Sequence, residues 1–468
     1  MNSNIKNITI ISAMAALAGC TQTEMQPPNI LLINIDDMGW RDVGFMGSEY
    51  YETPHLDALA AEGMVFTNAY ASASNCAPSR ACMMSGQWTP RHGVYTVASS
   101  ERGESSTRKL IPIPNNPTLA DEQYIFPEVL KDAGYVTCHA GKWHLSDNPT
   151  TQGFDVNIAG NHAGNPGSYY PPYRRVPSMK PPTDDYYLTN LIMDETLKFL
   201  NGVDDQPFFL YYSPYAVHTP IQPVDSLLPK YDGKPTWNGQ NNSAYATMVE
   251  NLDIQIGRLV ENLREADKLD NTFILFTSDN GGHYGVTRQW PLRSGKGSYY
   301  EGGIREPMFV RWPEKVPQGT KSIVPISNID FYPTLLDVAG IEKPDGKVLD
   351  GQSLMPVLTL EGVLQERPLF WHFPVYLEAY LENDTSTQDP VFRTRPGSAV
   401  RLGDWKLIQY FENNDLELYN VGEDLSETNN LAQARPEKVK ELLTILEDWR
   451  LETGAPVPTE LNPEYVGN

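Results

Sequence analysis

Asn29-Ile30-Leu31-Leu32-Ile33-Asn34-Ile35 is an almost unbroken apolar run that stops abruptly at Asp36-Asp37-Met38-Gly39. Continuous rather than alternating apolarity marks a strand buried on both faces, as in a parallel sheet covered by helices on each side. Thr272-Phe273-Ile274-Leu275-Phe276-Thr277 repeats the pattern and stops at Ser278-Asp279-Asn280-Gly281-Gly282. The stretch from Gln206 to Tyr212 gives a third such strand, ahead of Ser213-Pro214. Helical signals lie between them. The stretches from Leu56 to Glu62 and from Pro127 to Ala133 each run into a glycine, a common helix stop. From Asn242 to Asp267, Met248, Leu252, Ile256, Leu259, Val260 and Leu263 recur at helical spacing. Strands alternating with helices predict an α/β domain with a mainly parallel central sheet flanked by helices.

The texture changes near Leu360. Short strand-like pieces (Leu369 to Phe373, Ser398 to Leu402, Trp405 to Tyr410, Leu416 to Tyr419) are separated by Gly, Asn and Asp turns. A closing helical pattern runs from Pro436 to Leu451, with Val439, Leu442, Leu443, Leu446 and Trp449 on one face. This predicts a large domain over 27–360 and a smaller α+β domain over 361–468, an antiparallel sheet with one helix packed on it. Its 468 residues exceed the ~250–300 at which single cores stop growing, which agrees with two units. Pro and Tyr crowd the stretch from Asn161 to Tyr187, which reads as a long ordered loop suited to substrate contacts.

The formal net charge of −23 argues against a nucleic-acid partner, because phosphate binding needs a basic footprint. An anionic substrate remains open if a local Lys/Arg cluster holds it inside the acidic shell. The N-terminus reads as an export signal: Lys6, an apolar run from Ile8 to Leu17, and small residues before Cys20. That run is too short for a ~20-residue membrane span. Leu17-Ala18-Gly19-Cys20 resembles a bacterial lipobox, so residues 1–20 are expected to be a lipoprotein signal with Cys20 lipidated. Thr21 follows it, and the lack of Asp there points to an outer-membrane anchor facing periplasm or cell surface. Cys76, Cys82 and Cys138 then remain, an odd number for an exported chain, so at least one is unpaired or modified.

Two acidic pairs close buried strands, and ligands of open α/β sheets bind beyond the carboxyl ends of the strands. Asp36, Asp37, Asp279 and Asn280 could therefore converge. Three carboxylates and an amide suit a hard cation, Ca²⁺ or Mg²⁺, and suit zinc poorly. Cys76-Ala77-Pro78-Ser79-Arg80 is the other informative stretch. Pro78 suits the first position of a helix through Ala81 to Met84, which would put Cys76 at a helix N-terminus near Arg80. That setting fits a reactive thiol or an anion site, against the blander reading of a buried structural cysteine.

Cys-x-Pro-Ser-Arg followed by Ala81-Cys82-Met83-Met84-Ser85-Gly86 resembles the signature of the formylglycine-dependent sulfatases, within the alkaline phosphatase-like superfamily. Other segments resemble that family in the same order. They are Asn34-Ile35-Asp36-Asp37, Gly141-Lys142-Trp143-His144-Leu145, Val217-His218-Thr219-Pro220, the segment from Thr277 to Gly282, and the loop from Lys296 to Arg305. Leu418-Tyr419-Asn420 through Asn430-Leu431-Ala432 resembles the family's second domain, so the likeness runs from about Asn29 to Trp449. Ser85, where the family more often has Thr, and Ser294, in a stretch where Gly is common, are departures; the second bears on loop geometry.

The resemblance implies a role for each residue. Cys76 would be oxidised to an aldehyde by a formylglycine-generating maturase, and its hydrate would attack sulfur. Asp36, Asp37, Asp279, Asn280 and the modified Cys76 would hold the metal, which activates the hydrate and polarises the sulfate. Arg80 would orient the modified residue, and Lys142 and Lys296 would clamp sulfate oxygens. His218, with Lys296, would protonate the leaving oxygen, while His144 would take the proton that releases sulfate. His55, His92, His139, His283 and His372 read as structural or surface groups. His162 is a candidate for substrate contact, and Arg288, Trp290 and Arg293 are candidates for the sugar side of the pocket. A Tyr/Trp/Pro-rich rim fits carbohydrate sulfate better than a small aryl sulfate. Two alternatives remain: a phosphodiesterase or phosphonate monoester hydrolase of the same fold, and a lipoprotein that binds sulfated glycan without turnover.

Overall fold

The computed structural model describes residues 27–381 and 386–466; the expected leader and Cys20 lie outside the described residues. Fifteen strands are formed in the described residues. In chain order they are β1 Asn29–Ile35, β2 Met64–Tyr70, β3 Val136–Gly141, β4 Val156–Ile158, β5 Phe208–Ser213, β6 Thr272–Ser278, β7 Arg305–Arg311, β8 Thr320–Ser322 and β9 Ile326–Ser327. They continue with β10 Leu369–Phe373, β11 Leu377–Glu378, β12 Phe392–Thr394, β13 Gly397–Leu402, β14 Trp405–Tyr410 and β15 Asp415–Asn420.

The first nine make one sheet in the order β4-β3-β5-β1-β6-β7-β2-β8, with β9 also paired to β2. Every neighbouring pair is parallel except those of β7, which runs antiparallel to β6 and β2. β1 is the fourth strand in, and alternation along it feeds two cores. Leu31, Ile33 and Ile35 pack on one face with the helices Pro54–Ala61, Leu188–Asn201 and Ser243–Glu265. Ile30 and Leu32 pack on the other with Cys76–Ser85, Phe126–Asp132 and Phe331–Ala339. All seven β1 residues are buried, which is why the run needs no polar alternation.

The second sheet is antiparallel, β10-β13-β14-β15, and the helix Pro436–Thr453 packs Leu442, Leu446 and Trp449 onto it. Tyr70, Tyr299, Tyr300 and Ile304 of the large domain enter the same core, so the two sheets share apolar contacts. Buried charges also tie them: Lys406 Nζ lies 3.0 Å from Glu301 and 2.6 Å from Glu427. The hairpin β11–β12 stands apart from both sheets.

The stretch from Asn161 to Tyr187 is free of strand and helix, as expected of a loop. Two of its tyrosines pack inward. Tyr169 and Tyr187 are buried and stacked at 5.4 Å. Tyr169 donates to the carbonyls of Tyr215 and His218, the latter at 2.9 Å, and Tyr187 donates to Gln222. They fasten the loop to the segment that carries His218.

Candidate active site

Topology gathers the site. The parallel neighbours β3, β5, β1 and β6 all release the chain at one edge, delivering Lys142 and His144, His218, Asp36 and Asp37, and Asp279 and Asn280 respectively. β2 runs in the same direction and leads into Cys76, while antiparallel β7 starts at that edge just after the Lys296 loop. One edge therefore collects residues scattered over 260 positions of sequence (36 to 296).

Cys76 is the first residue of its helix, so Pro78, expected at the first position, is the third. Asn75 caps it, its side chain accepting from the Cys76 N–H at 3.1 Å. Pro78 sits inside the first turn, where a missing N–H has no cost because those donors have no helical partner. All three cysteines in the described residues, Cys76, Cys82 and Cys138, are unpaired and buried.

Arg80 crosses from that helix into the carboxylates. Its Nε donates to Asp279 Oδ2 at 2.8 Å, and its terminal nitrogens reach the Lys142 carbonyl at 3.0 Å, the Tyr211 hydroxyl at 3.1 Å and the Ser213 hydroxyl. Lys142 Nζ donates to both oxygens of Asp36 at 2.8 Å, and Lys296 Nζ donates to Asp37 Oδ1 at 2.6 Å. Asn280 Nδ2 donates to the same Asp37 oxygen at 2.8 Å.

Burial pushes the Asp36 carboxyl up to about 7, with Asp279 and Asp37 adding to the push and Lys142 opposing it. For Asp37 burial works the same way, yet the charges of Lys296, His218 and Lys142 outweigh it and hold the group well below the usual carboxylate range. Asp37 Oδ2 and Asn280 Oδ1 are buried without a hydrogen-bond partner. Ligand atoms of Asp36, Cys76 and Asp279 lie within 4.8 Å of one another, as do those of Asp36, Asp37 and His218. Orphaned acceptors beside clustered carboxylates fit a hard cation, which would satisfy the first and relieve the repulsion of the second.

Burial holds both histidines below the usual imidazole range. Burial, then the Lys142 and Arg80 charges, hold His144 well below the usual imidazole value. Burial lowers His218 to about 3, even though Asp37 pulls the other way. His218 Nδ1 faces the Thr219 carbonyl at 2.8 Å, so the ring hydrogen sits there and Nε2 faces Asp37 Oδ2 at 3.5 Å. Asp37 and His144 both hold φ above zero (60° and 65°), uncommon for residues other than glycine and frequent at functional sites. Ser294 does the same at φ 60°, in the stretch where glycine was the expected choice.

These groups border a cleft of about 370 Å³, lined by Cys76, His144, His218 and Lys296, and by Arg102, Asn165, His283, Glu378, Tyr380 and Arg393. The second set was missed in the sequence, with His283 read as structural. Conversely, the cleft omits His162, Arg288, Trp290 and Arg293. His162 Nε2 bonds the Pro117 carbonyl at 3.0 Å. Arg293 reaches the Tyr419 hydroxyl at 3.2 Å and the Glu427 carbonyl at 3.0 Å, so it joins the two sheets. Arg288 covers the Tyr284 ring at 3.9 Å, and Trp290 is 57% exposed beside Arg41.

A family model described as Sulfatase matches residues 28–341, and one described as N-sulphoglucosamine sulphohydrolase, C-terminal, matches residues 295–451. The chain belongs to the sulfatase family. A sulfatase of Formosa agariphila is 31% identical across 96% of this chain and 93% of its own. Human N-acetylgalactosamine-6-sulfatase is 34% identical over 74% of this chain and 68% of its own. The crystal structure of Ps i-CgsB in complex with k-i-k-neocarrahexaose is 28% identical, with a TM-score of 0.75 over 93% of this chain and 95% of that one. Membership makes this sulfatase a sulfuric ester hydrolase of alkaline phosphatase-like fold.

Proposed function

We propose that this sulfatase hydrolyses sulfate monoesters of a sulfated carbohydrate, with the hydrate of a formylglycine made from Cys76 as nucleophile. The observation that carries the reading is the convergence of Cys76, Arg80, Lys142, Lys296 and both histidines beside the carboxylate cluster at one strand edge. The substrate class is supported by relatives whose names or complexes are carbohydrates, N-acetylgalactosamine-6-sulfatase and the neocarrahexaose complex.

Asp36, Asp37, Asp279 and Asn280, with modified residue 76, would hold the metal, Ca²⁺ or Mg²⁺. When bound, that ion would supply Lewis acidity to the sulfate and lower the pKa of the hydrate. Lys142 and Lys296 would contribute two fixed positive charges where the non-bridging oxygens lie, needing no rearrangement as charge develops. Arg80, held at four acceptor atoms, would fix the helix turn that carries residue 76. Neutral His144, with Nδ1 free of any hydrogen bond, would accept the proton that frees sulfate. Neutral His218 cannot donate from Nε2 until it gains a proton. The anionic substrate favours that form, and the charged Lys296 beside it would share the donation to the leaving oxygen.

The lipobox at Leu17-Ala18-Gly19-Cys20 supports export and lipid anchoring, in the outer membrane for want of Asp after Cys20. A maturase would act on the Cys76–Arg80 segment before folding buries it. The test is a panel of defined sulfated oligosaccharides with matched phosphate and phosphonate esters, assayed on protein coexpressed with maturase. Sulfate release from sugars in preference to phosphorus esters is expected; preference for the phosphorus esters would move the chain to the phosphonate or phosphodiester hydrolases.

A further inference from the structure

On the wall of the cleft that holds Lys296, two arginines have no ion-pair partner among the described residues. Arg393, on β12, and Arg102, on the loop between Val97 and Gly103, both line the cavity. Among the described residues neither belongs to an ion pair. Arg102 gives one nitrogen to the Val97 carbonyl at 3.0 Å, and Arg393 gives one to the Glu378 carbonyl at 2.9 Å. Among the described residues of the lining the acidic side chain is Glu378, which turns its carboxylate to the Gly103 N–H at 2.9 Å. In a chain with 59 acidic and 36 basic residues, acidic partners are plentiful, so two guanidinia on one cleft without an ion pair among the described residues are an arrangement to be explained.

Arg393 is also built in. Its guanidinium covers the Tyr380 ring at 3.7 Å, while the His283 ring stacks on Tyr380 at 3.6 Å, so the two must occupy opposite faces of the tyrosine. On its inner side Arg393 presses against Gly297, whose φ is +88° and where a Cβ would lie 2.3 Å from Arg393 Nε. Glycine next to Lys296 therefore lets this arginine approach the sulfate clamp. Burial, then the Arg102 charge set against Tyr380, hold the Arg393 pKa below the usual guanidinium value.

We infer that Arg102 and Arg393 bind a second anionic group of the substrate, a sulfate or carboxylate on the same sugar or its neighbour, while the scissile sulfate sits at Cys76 and Lys296. Guanidinium presents a planar fork that matches both anions, and the bound anion offsets the repulsion between the two arginines. The inference rests on the sulfatase reading and narrows it: the preferred substrate carries at least two negative charges.

Three matched probes test it: N-acetylgalactosamine 6-sulfate, N-acetylgalactosamine 4,6-disulfate, and a uronate-linked disaccharide of the 6-sulfate, with the analogous galactose series. Turnover is measured with matured enzyme, and equilibrium binding with Cys76→Ala protein. Wild type should favour the dianionic members by kcat/KM and by Kd. Arg393→Gln and Arg102→Gln should each lower that preference by about tenfold to a hundredfold, the range of a charge-assisted hydrogen bond. Arg393→Lys should retain part of it. The disulfate and uronate arms tell which anion is read. Equal handling of mono- and dianionic probes by wild type, or equal losses on both in the arginine variants, overturns the inference. Binding preference for dianions without turnover of any sulfate ester would instead remove the sulfatase reading and leave the anion pair standing.

Discussion

Arg80→Ala isolates the charge balance on which the site depends. The guanidinium is 1% exposed, and its Nε and one terminal nitrogen each lie 2.8 Å from Asp279 Oδ2. Removing it leaves Asp279 uncompensated beside Asp36 and Asp37, and takes a donor from the Lys142 carbonyl and the Tyr211 and Ser213 hydroxyls. Deleting one partner of a buried ion pair costs about 3–5 kcal/mol. At about 2.1 cal/mol/K per residue, the 468 residues give an unfolding entropy of about 1 kcal/mol/K for unfolding as one unit, so Tm should fall by about 3–5 °C. Calorimetry in chelator reads this without a contribution from bound metal, and sulfate release with calcium restored reads the catalytic side. Arg80→Lys keeps the charge and loses the fork, so its Tm should fall less while kcat/KM stays depressed. An Arg80→Ala protein with wild-type Tm would refute the idea that these carboxylates depend on the guanidinium.

Metal removal gives a second prediction. With free calcium a hundredfold above Kd, binding contributes about 2.7 kcal/mol, or about 3 °C by the same entropy. Chelation should lower Tm by that amount and abolish turnover, and unchanged values for both would count against the Asp36, Asp37, Asp279 and Asn280 cluster as a cation site. Gly297→Ala places a Cβ at φ +88° against Arg393; it should cost about 1–2 kcal/mol of stability and reduce kcat/KM, and a neutral outcome on both would contradict the close packing at Lys296. For pH, burial lowers His372 to about 3, where its ring is bonded to Ser398 and the Pro456 carbonyl. Its folded pKa lies below the unfolded value, so its contribution is complete above about 6.5 and is lost as pH falls towards 3. Between those limits wild-type stability should drop more steeply with falling pH than that of His372→Gln, by up to about 1.4 kcal/mol per pH unit. Parallel curves from denaturant titration would exclude this.

Much of this was legible in the chain because the decisive signals are local. Apolar runs ending in Asp36-Asp37 and Asp279-Asn280 locate two strands and the loop edge together, since a strand buried on both faces has no polar residue until it ends. Boundaries shifted by a residue or two, as for the helix Phe126–Asp132 expected from Pro127. The rest depends on distant packing. β7 runs against its neighbours, and nothing in Arg305–Arg311 distinguishes it from a parallel strand. That Tyr169 and Tyr187 would be buried was not legible, because burial of a tyrosine in a loop has no periodic signature. Arg293 read as a pocket residue because it lies near Lys296 in sequence, whereas its partners come from the second sheet. Arg102 and Arg393 lie 291 positions apart and carry no motif, so only the folded cleft brings them together. The lone signal that was available is Gly297 beside Lys296.

The most direct test of the central claim is sulfate release from a sulfated oligosaccharide by maturase-coexpressed wild type and by Cys76→Ala, with the residue-76 peptide of each preparation examined by mass spectrometry for the aldehyde. Turnover should rise in proportion to the fraction of residue 76 converted, with none from Cys76→Ala with its fold intact. Equal turnover by Cys76→Ala, or full activity in wild type that carries only the thiol, would contradict it.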